Sequence, residues 1–239
     1  MTDLNILDIA VIGVFVLFLL TGLYKGFLYN AFSIGAYIIS WVFGLLLMPV
    51  AANYVKADQS LMNMMLYYTE GAEAIKDVEL SRMNIASISS EKLNEIILSS
   101  DPKVPYPMGE RIKENIAKEI FAKDGITTLG DYFNQTIVCV AINILSFLVI
   151  FIVLRLLLAF IINGVDYAVT FPVLRHSDAL IAVNCGLIRG VLALFLVFML
   201  VPLILTVLPF DFIRDLIGDS LFGPFFYNSN FLLSLIPGV

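Results

Sequence analysis

Thr21-Gly22-Leu23-Tyr24-Lys25-Gly26-Phe27-Leu28 interrupts an apolar stretch whose only charge between Ile9 and Val55 is Lys25. On either side the run is long enough to cross a bilayer core of about 30 Å, which takes about 20 helical residues. Leu4–Tyr24 therefore reads as a first span and Phe27–Ala51 as a second. The turn between them is so short that the two should form a helical hairpin. A lone cation at such an edge anchors the turn, because its long side chain can reach the headgroups. The same pattern returns as Gly186-Leu187-Ile188-Arg189-Gly190, just before the uncharged run Gly190–Phe210. The match is only five residues and the spacing from each preceding span differs, which weighs against an internal duplication of transporter type.

Working outward, two more spans are expected. Thr136–Ile162 carries Arg155 as its only charge, and Leu187–Leu208 carries Pro202 as a kink. Asp178–Gly186 is apolar and should lie at the interface or start the last helix. Small residues in the second span (Ala31, Ser33, Gly35, Ala36, Ser40, Gly44) allow close helix approach in lipid. The chain thus divides into a hairpin at 1–52, a polar insert at 53–135, a second hairpin at 136–208 and an interfacial tail at 209–239. The expected fold is an all-α integral membrane protein with four transmembrane helices in two hairpins.

In the insert, helices are expected near Ser60–Tyr68, Glu91–Leu98 and Gly109–Lys123. Ile112, Ile116 and Ile120 recur every four residues and should share one face, flanked by the pairs Glu114–Lys118 and Glu119–Lys123. Asp101-Pro102-Lys103-Val104-Pro105-Tyr106-Pro107 breaks the helical pattern before the third piece. The insert is thin in apolar residues and is not expected to fold alone. The tail should form an interfacial helix near Phe212–Phe222, followed by a Pro/Asn-rich hydrophobic end.

Composition agrees with a membrane protein. Hydrophobic residues are 60% and charged residues 14% of the 239, against about 45–50% and about 25% in soluble domains. The net charge of −6 argues against nucleic-acid binding, which needs a basic patch. Met1-Thr2-Asp3-Leu4-Asn5 lacks the basic start of a cleaved signal peptide. Lys25 lies in the first turn, while Arg155, Arg175, His176 and Arg189 cluster around the connection between spans three and four. With four alternating spans both sites face the cytoplasm by the positive-inside rule, leaving both termini and the insert outside. The nine Lys/Arg of the long insert do not oppose this, since long loops translocate largely regardless of charge.

Candidate chemistry is sparse. Asp8 is either an intramembrane carboxylate that moves ions or protons, or an anion favoured by a helix N-terminus. Gly22/Gly26 and Gly186/Gly190 are either helix contacts or, for the first pair, a flexible turn. Lys25 and Arg189 either bind anionic lipid or a partner's acidic segment, or simply reach to the surface. Arg155 should reach the surface or pair with Asp166. Asn143, Ser146 and Asn184 are the other polar groups in or beside the spans. Cys139 and Cys185 read as small buried hydrophobes, and His176 as an exposed loop residue without partners for a metal. Phosphate-loop, zinc-protease and serine-hydrolase motifs are missing from the sequence. Catalytic residues, a cofactor and a metal are not expected.

Asn5-x-x-Asp8, followed by a span ending in Gly22-x-x-Lys25-Gly26-Phe27 and a second span, resembles the opening of the colicin V production protein family. The stretch from Asp178 to Gly190, with Gly186 and Arg189, resembles that family's second signature. Asp219-Ser220 and Asn228–Asn230 resemble the end of some members. The resemblance covers roughly 1–52 and 136–230, and the insert resembles an enlarged loop. It implies a bacterial inner-membrane protein linked to peptide-toxin production or export and to envelope homeostasis, with no known catalytic residues. The expected function is a non-enzymatic accessory role, with the bilayer and other membrane or envelope proteins as partners. The alternative is an oligomeric small channel or transporter subunit, for which a homo-oligomer would be required.

Overall fold

The computed structural model describes residues 4–69, 71–168, 179–208 and 211–239. The regular elements among them are all helical, with one isolated bridge between Asn84 and Thr128. They are α1 (Ile6–Lys56), α2 (Gln59–Thr69), α3 (Val78–Arg82), α4 (Ser90–Leu98), α5 (Met108–Ala117), α6 (Leu129–Ala168), α7 (Ala179–Phe198), α8 (Val201–Val207), α9 (Asp211–Gly218), α10 (Gly223–Asn228) and α11 (Phe231–Ser234). Three stretches are long and apolar enough to cross a membrane: Ile6–Lys56, Leu129–Gly164 and Ala179–Val207.

The first stretch, at 51 residues, is far longer than one crossing needs. It is broken at Gly26, whose φ of 77° and ψ of 177° are not helical. That region of backbone space is open essentially only to glycine. The break leaves arms of residues 6–25 and 27–56, about 30 Å and about 45 Å long at the helical rise. A Cβ on Gly26 would meet nothing within 4 Å, so the glycine is required by its backbone angles and not by crowding. Gly26→Ala is expected to cost about 1–3 kcal/mol through that strain alone, read as a lowered unfolding midpoint with an unchanged helix content.

The arms wear apolar residues outward. Ile9, Ile12, Val16, Leu20 and Leu23 form an exposed stripe on the first, and Ile39, Val42, Phe43, Leu46 and Val50 on the second. Val149, Ile152, Val153, Leu156 and Phe160 do the same on α6. Exposed apolar surface at helical spacing on this scale calls for lipid, because water would be an unfavourable neighbour. On the inner side of the second arm the small residues Ser33, Ala36, Ser40 and Gly44 are buried. Gly44 lies so close to the Phe147 ring that a Cβ there would sit 3.0 Å from it.

The described chain gathers into two compact units, each assembled from separated segments. One comprises Met1–Pro49, Ser146–Phe198 and Asp215–Asn230; the other comprises Val50–Leu145, Met199–Arg214 and Phe231–Val239. These units cut across the sequence blocks 1–52, 53–135, 136–208 and 209–239.

In the second unit, residues 129–145 of α6 are a core helix. Leu129, Tyr132, Phe133 and Val140 are fully buried, alongside Met108 and Ile112 of α5 and Phe121. The helix starts about two turns before the Thr136 expected from hydropathy. Thr128 donates to the Asp131 carboxylate at 2.6 Å and accepts from the Asp131 N–H at 3.3 Å, a cap that sets this start. Helices near 60–68 and 91–98 are found as α2 and α4. The third expected helix is cut short: α5 ends at Ala117, and Glu119 has a φ of 48°. Ile112 and Ile116 share the buried face, but Ile120 lies beyond the end and is exposed. Glu114 pairs with Arg111 at 2.7 Å and not with Lys118.

The tail differs most from expectation. Its helical part is found as α9, and its end packs into the second unit. Leu232, Leu233 and Ile236 are buried, and three side chains bind the backbone carbonyls that follow α10. Arg111 donates to Ser234 O, Asn115 to Gly238 O at 2.9 Å, and Asn143 to Pro237 O at 2.8 Å and Val239 O at 2.9 Å. Buried carbonyls need such donors, and an irregular end cannot supply them from its own backbone. Asn115→Ala also loses the bond to Thr136 and should cost about 1–2 kcal/mol. The check is faster amide hydrogen exchange confined to 231–239.

Candidate functional site

The polar groups of the first unit cluster at two places. The first is the start of α1. Asn5 caps the helix through Oδ1, which accepts from the Asp8 N–H at 3.0 Å, and Asp8 Oδ2 accepts from the Asn5 N–H at 3.1 Å. This reciprocal pairing is a capping box with a carboxylate in the Glu position. Asp8 Oδ1 accepts from Ser220 Oγ at 2.6 Å and from the Phe222 N–H at 3.2 Å. Ser220 Oγ in turn accepts from the N–H groups of Phe222 and Gly223, at 3.1 and 2.8 Å. Asn5 Nδ2 reaches Leu216 O at 2.8 Å. Asp8 is completely buried; its Oδ2 closes the cap on α1, and its Oδ1 ties the start of α1 to the loop between α9 and α10. Its geometry is that of a structural anchor at a helix N-terminus.

The second place is the start of the arm 27–56. Asn30 is buried, and its amide donates to Gly26 O at 2.6 Å and Gly22 O at 3.1 Å, bracing the backbone on both sides of the break. With Nδ2 on these two carbonyls, Oδ1 accepts from Arg189 Nη1 at 2.6 Å. Arg189 is only 6% exposed, with its guanidinium 5.3 Å from the Phe18 ring centre and 5.4 Å from that of Tyr29. One turn on, Ser33 Oγ accepts from Arg155 Nη2 at 2.6 Å, and Arg155 stacks 4.6 Å from the Tyr37 ring centre. Such cation–aromatic contacts are favourable, the more so where water is excluded. Arg155 thus meets α1 and does not reach for the surface. The Asp166 side chain, Arg175, His176 and Asp178 lie outside the described residues. Lys25 is exposed, with Nζ 5.0 Å from the Tyr29 ring centre, and Phe27 is half-buried beside it.

The two glycine elements meet each other. A Cβ on Gly22 would lie 2.7 Å from Ala182 O and 3.2 Å from Gly186 Cα, and one on Gly186 would lie 2.6 Å from Phe18 O. α7 therefore touches the first arm backbone to backbone at Gly22 and Gly186. Gly190 faces the Phe15 ring and the Phe18 Cβ. These are contacts within one chain, while Gly26 serves the break.

The remaining candidates are bonded within the chain. Asn143, in the second unit, accepts from Lys56 Nζ at 2.8 Å while holding the tail. Asn184 is exposed on α7 and donates to Leu180 O of its own helix at 2.8 Å. Cys139 is buried and Cys185 half-buried. Sequence reasoning missed Asn30 and the polar stripe Asn30, Ser33, Tyr37, whose i, i+3, i+7 spacing on an apolar helix was the available signal. Within the Asn228–Asn230 stretch, Asn230 is fully buried and donates to Phe195 O at 2.8 Å, a contact that the sequence did not indicate.

Residues 7–76 match the family model described as colicin V production protein, less than a third of the chain. The matched region contains Asp8, the glycine break and both arms, and it extends into the insert. No curated protein and no solved structure matches the chain.

Proposed function

We propose that this chain is a multi-pass protein of a bacterial inner membrane that serves peptide-toxin production and envelope homeostasis as a non-enzymatic accessory. It works through other membrane or envelope proteins. The observation that carries this reading is the family match over 7–76, which takes in both arms of α1 and the glycine between them. In this reading the arms are two spans, α6 a third and α7–α8 a fourth. Lys25 and the start of α7 then face the cytoplasm, and the insert faces outward.

The use made of the polar groups also supports an accessory role. A pore needs polar side chains turned to a water path, yet Asp8 and Asn143 are buried and spent on bonds within the chain. The Ile112/Ile116 face is core and unavailable to a partner, so the outward apolar stripes on the spans are the partner surface. Native mass spectrometry from nanodiscs drawn from the organism's own membrane tests this. The expected result is a monomer or dimer carrying a different membrane protein. A homo-oligomer of defined size with no other protein would overturn the reading in favour of a pore.

A further inference from the structure

We propose that Arg155 and Arg189 form a binding site for a phosphate-bearing anion beside the Gly26 break, a role that goes beyond the accessory reading and does not depend on it. The two guanidinium groups reach successive turns of one face of the arm 27–56, at Asn30 and Ser33. Neither is paired with a carboxylate among the described residues; their hydrogen-bond partners are a neutral amide and a neutral hydroxyl. Arg189 Nε and Arg155 Nη1 are both shut off from solvent with no acceptor.

Two like charges in an apolar setting, each with an idle N–H, are unfavourable unless an anion joins them. Neutral acceptors have already been placed on one N–H of each group, and ring faces on their planes. What is missing is an acceptor that carries charge and can bridge two donors. A phosphate fits, since its several charged oxygens match the guanidinium fork. Position also fits. Asn30 and Ser33 lie about 6–10 Å along the helix from the break, and basic pockets between spans take lipid headgroups. An anionic phospholipid and a soluble phosphate share this chemistry, and the experiment separates them.

The full chain, purified in a mild detergent, is mixed with dioleoyl phosphatidylglycerol, with dioleoyl phosphatidylcholine or with inorganic phosphate, and retained adducts are read by native mass spectrometry. The expected result is preferential retention of phosphatidylglycerol, falling about tenfold in Arg155→Gln and in Arg189→Gln, the scale of a lost charge-assisted contact. Arg155→Lys, which keeps the charge, should keep part of it. If inorganic phosphate competes the lipid away, a soluble phosphate is the ligand; if it does not, the headgroup is. Arg189 is the more buried, so Arg155→Gln with a wild-type unfolding midpoint decides the matter should Arg189→Gln fail to fold. Equal retention of both lipids with no phosphate adduct would overturn the proposal. So would Arg155→Gln retaining phosphatidylglycerol as wild type does.

Discussion

Gly186→Leu and Gly22→Leu are expected to abolish the folded state of the membrane unit, and Gly186→Ala to destabilise it by about 1–3 kcal/mol. The sign is not obvious, because alanine is ordinarily better than glycine in a helix by about 1 kcal/mol. Crowding decides it. The atoms that a new Cβ would meet are Phe18 O at 2.6 Å for Gly186 and Ala182 O at 2.7 Å for Gly22. Both are backbone atoms of a helix, which cannot swing aside as the end of a side chain could. The helices must separate, and close packing is what holds helices together in lipid, where burial from water gives no driving force. Gly13→Ala and Gly35→Ala are the controls. Nothing lies within 4 Å of either new Cβ, so both should be neutral or mildly stabilising. Gly22→Ala and Gly186→Ala together should cost less than their sum, because the first has already parted the helices that the second would push. Thermal unfolding in nanodiscs of one lipid composition measures all seven variants. Additive costs, or a stabilised Gly186→Ala, would rule out the backbone contact.

What the sequence carried and what it did not divides along the range of the interactions. Apolar run length located the long helices, and Gly26 marked a break, because each depends on residues within a turn or two of themselves. The cap at Thr128 and Asp131 was equally local and still went unread, since hydropathy averages over the polar residues that begin a helix. The Ile112, Ile116, Ile120 pattern misled because periodicity says nothing about where a helix stops, and here it stops at Ala117. Arg155 and Arg189 looked like anchors because a cation near a span end usually is one. Their acceptors, Ser33 and Asn30, lie 122 and 159 residues away in the chain. No spacing rule joins positions so far apart. The tail is the same case: Asn115 and Asn143 are ordinary polar residues until Gly238 and Pro237 are folded against them. The two glycine elements were legible one at a time, but their contact with each other was not.

Asp8→Ala is expected to lower the unfolding midpoint by roughly 5–10 °C, placing it among the costliest single changes in the chain. The carboxylate serves three donors in a site closed to water: Ser220 Oγ, the Phe222 N–H and the Asn5 N–H. Truncation leaves all three to find new acceptors, and it also removes a negative charge from the first turn of α1, where the helix dipole favours one. Asp8→Asn separates these effects. If its carbonyl takes the place of Oδ1, Ser220 and Phe222 keep their acceptor, but an NH2 now faces the Asn5 N–H and the capping box is lost. Its midpoint should therefore fall between those of wild type and Asp8→Ala. Ser220→Ala should also be costly, since it strips the Phe222 and Gly223 N–H groups of the same hydroxyl. If the chain serves toxin production as proposed, the order of the three variants in stability should be their order in toxin release, because a structural anchor acts only through the folded population. An ion pathway through Asp8 makes the opposite demand. It requires Asp8→Asn to lose function at an unchanged midpoint, and Ser220→Ala to keep it. Midpoints and colicin V release measured on the same three variants choose between the two.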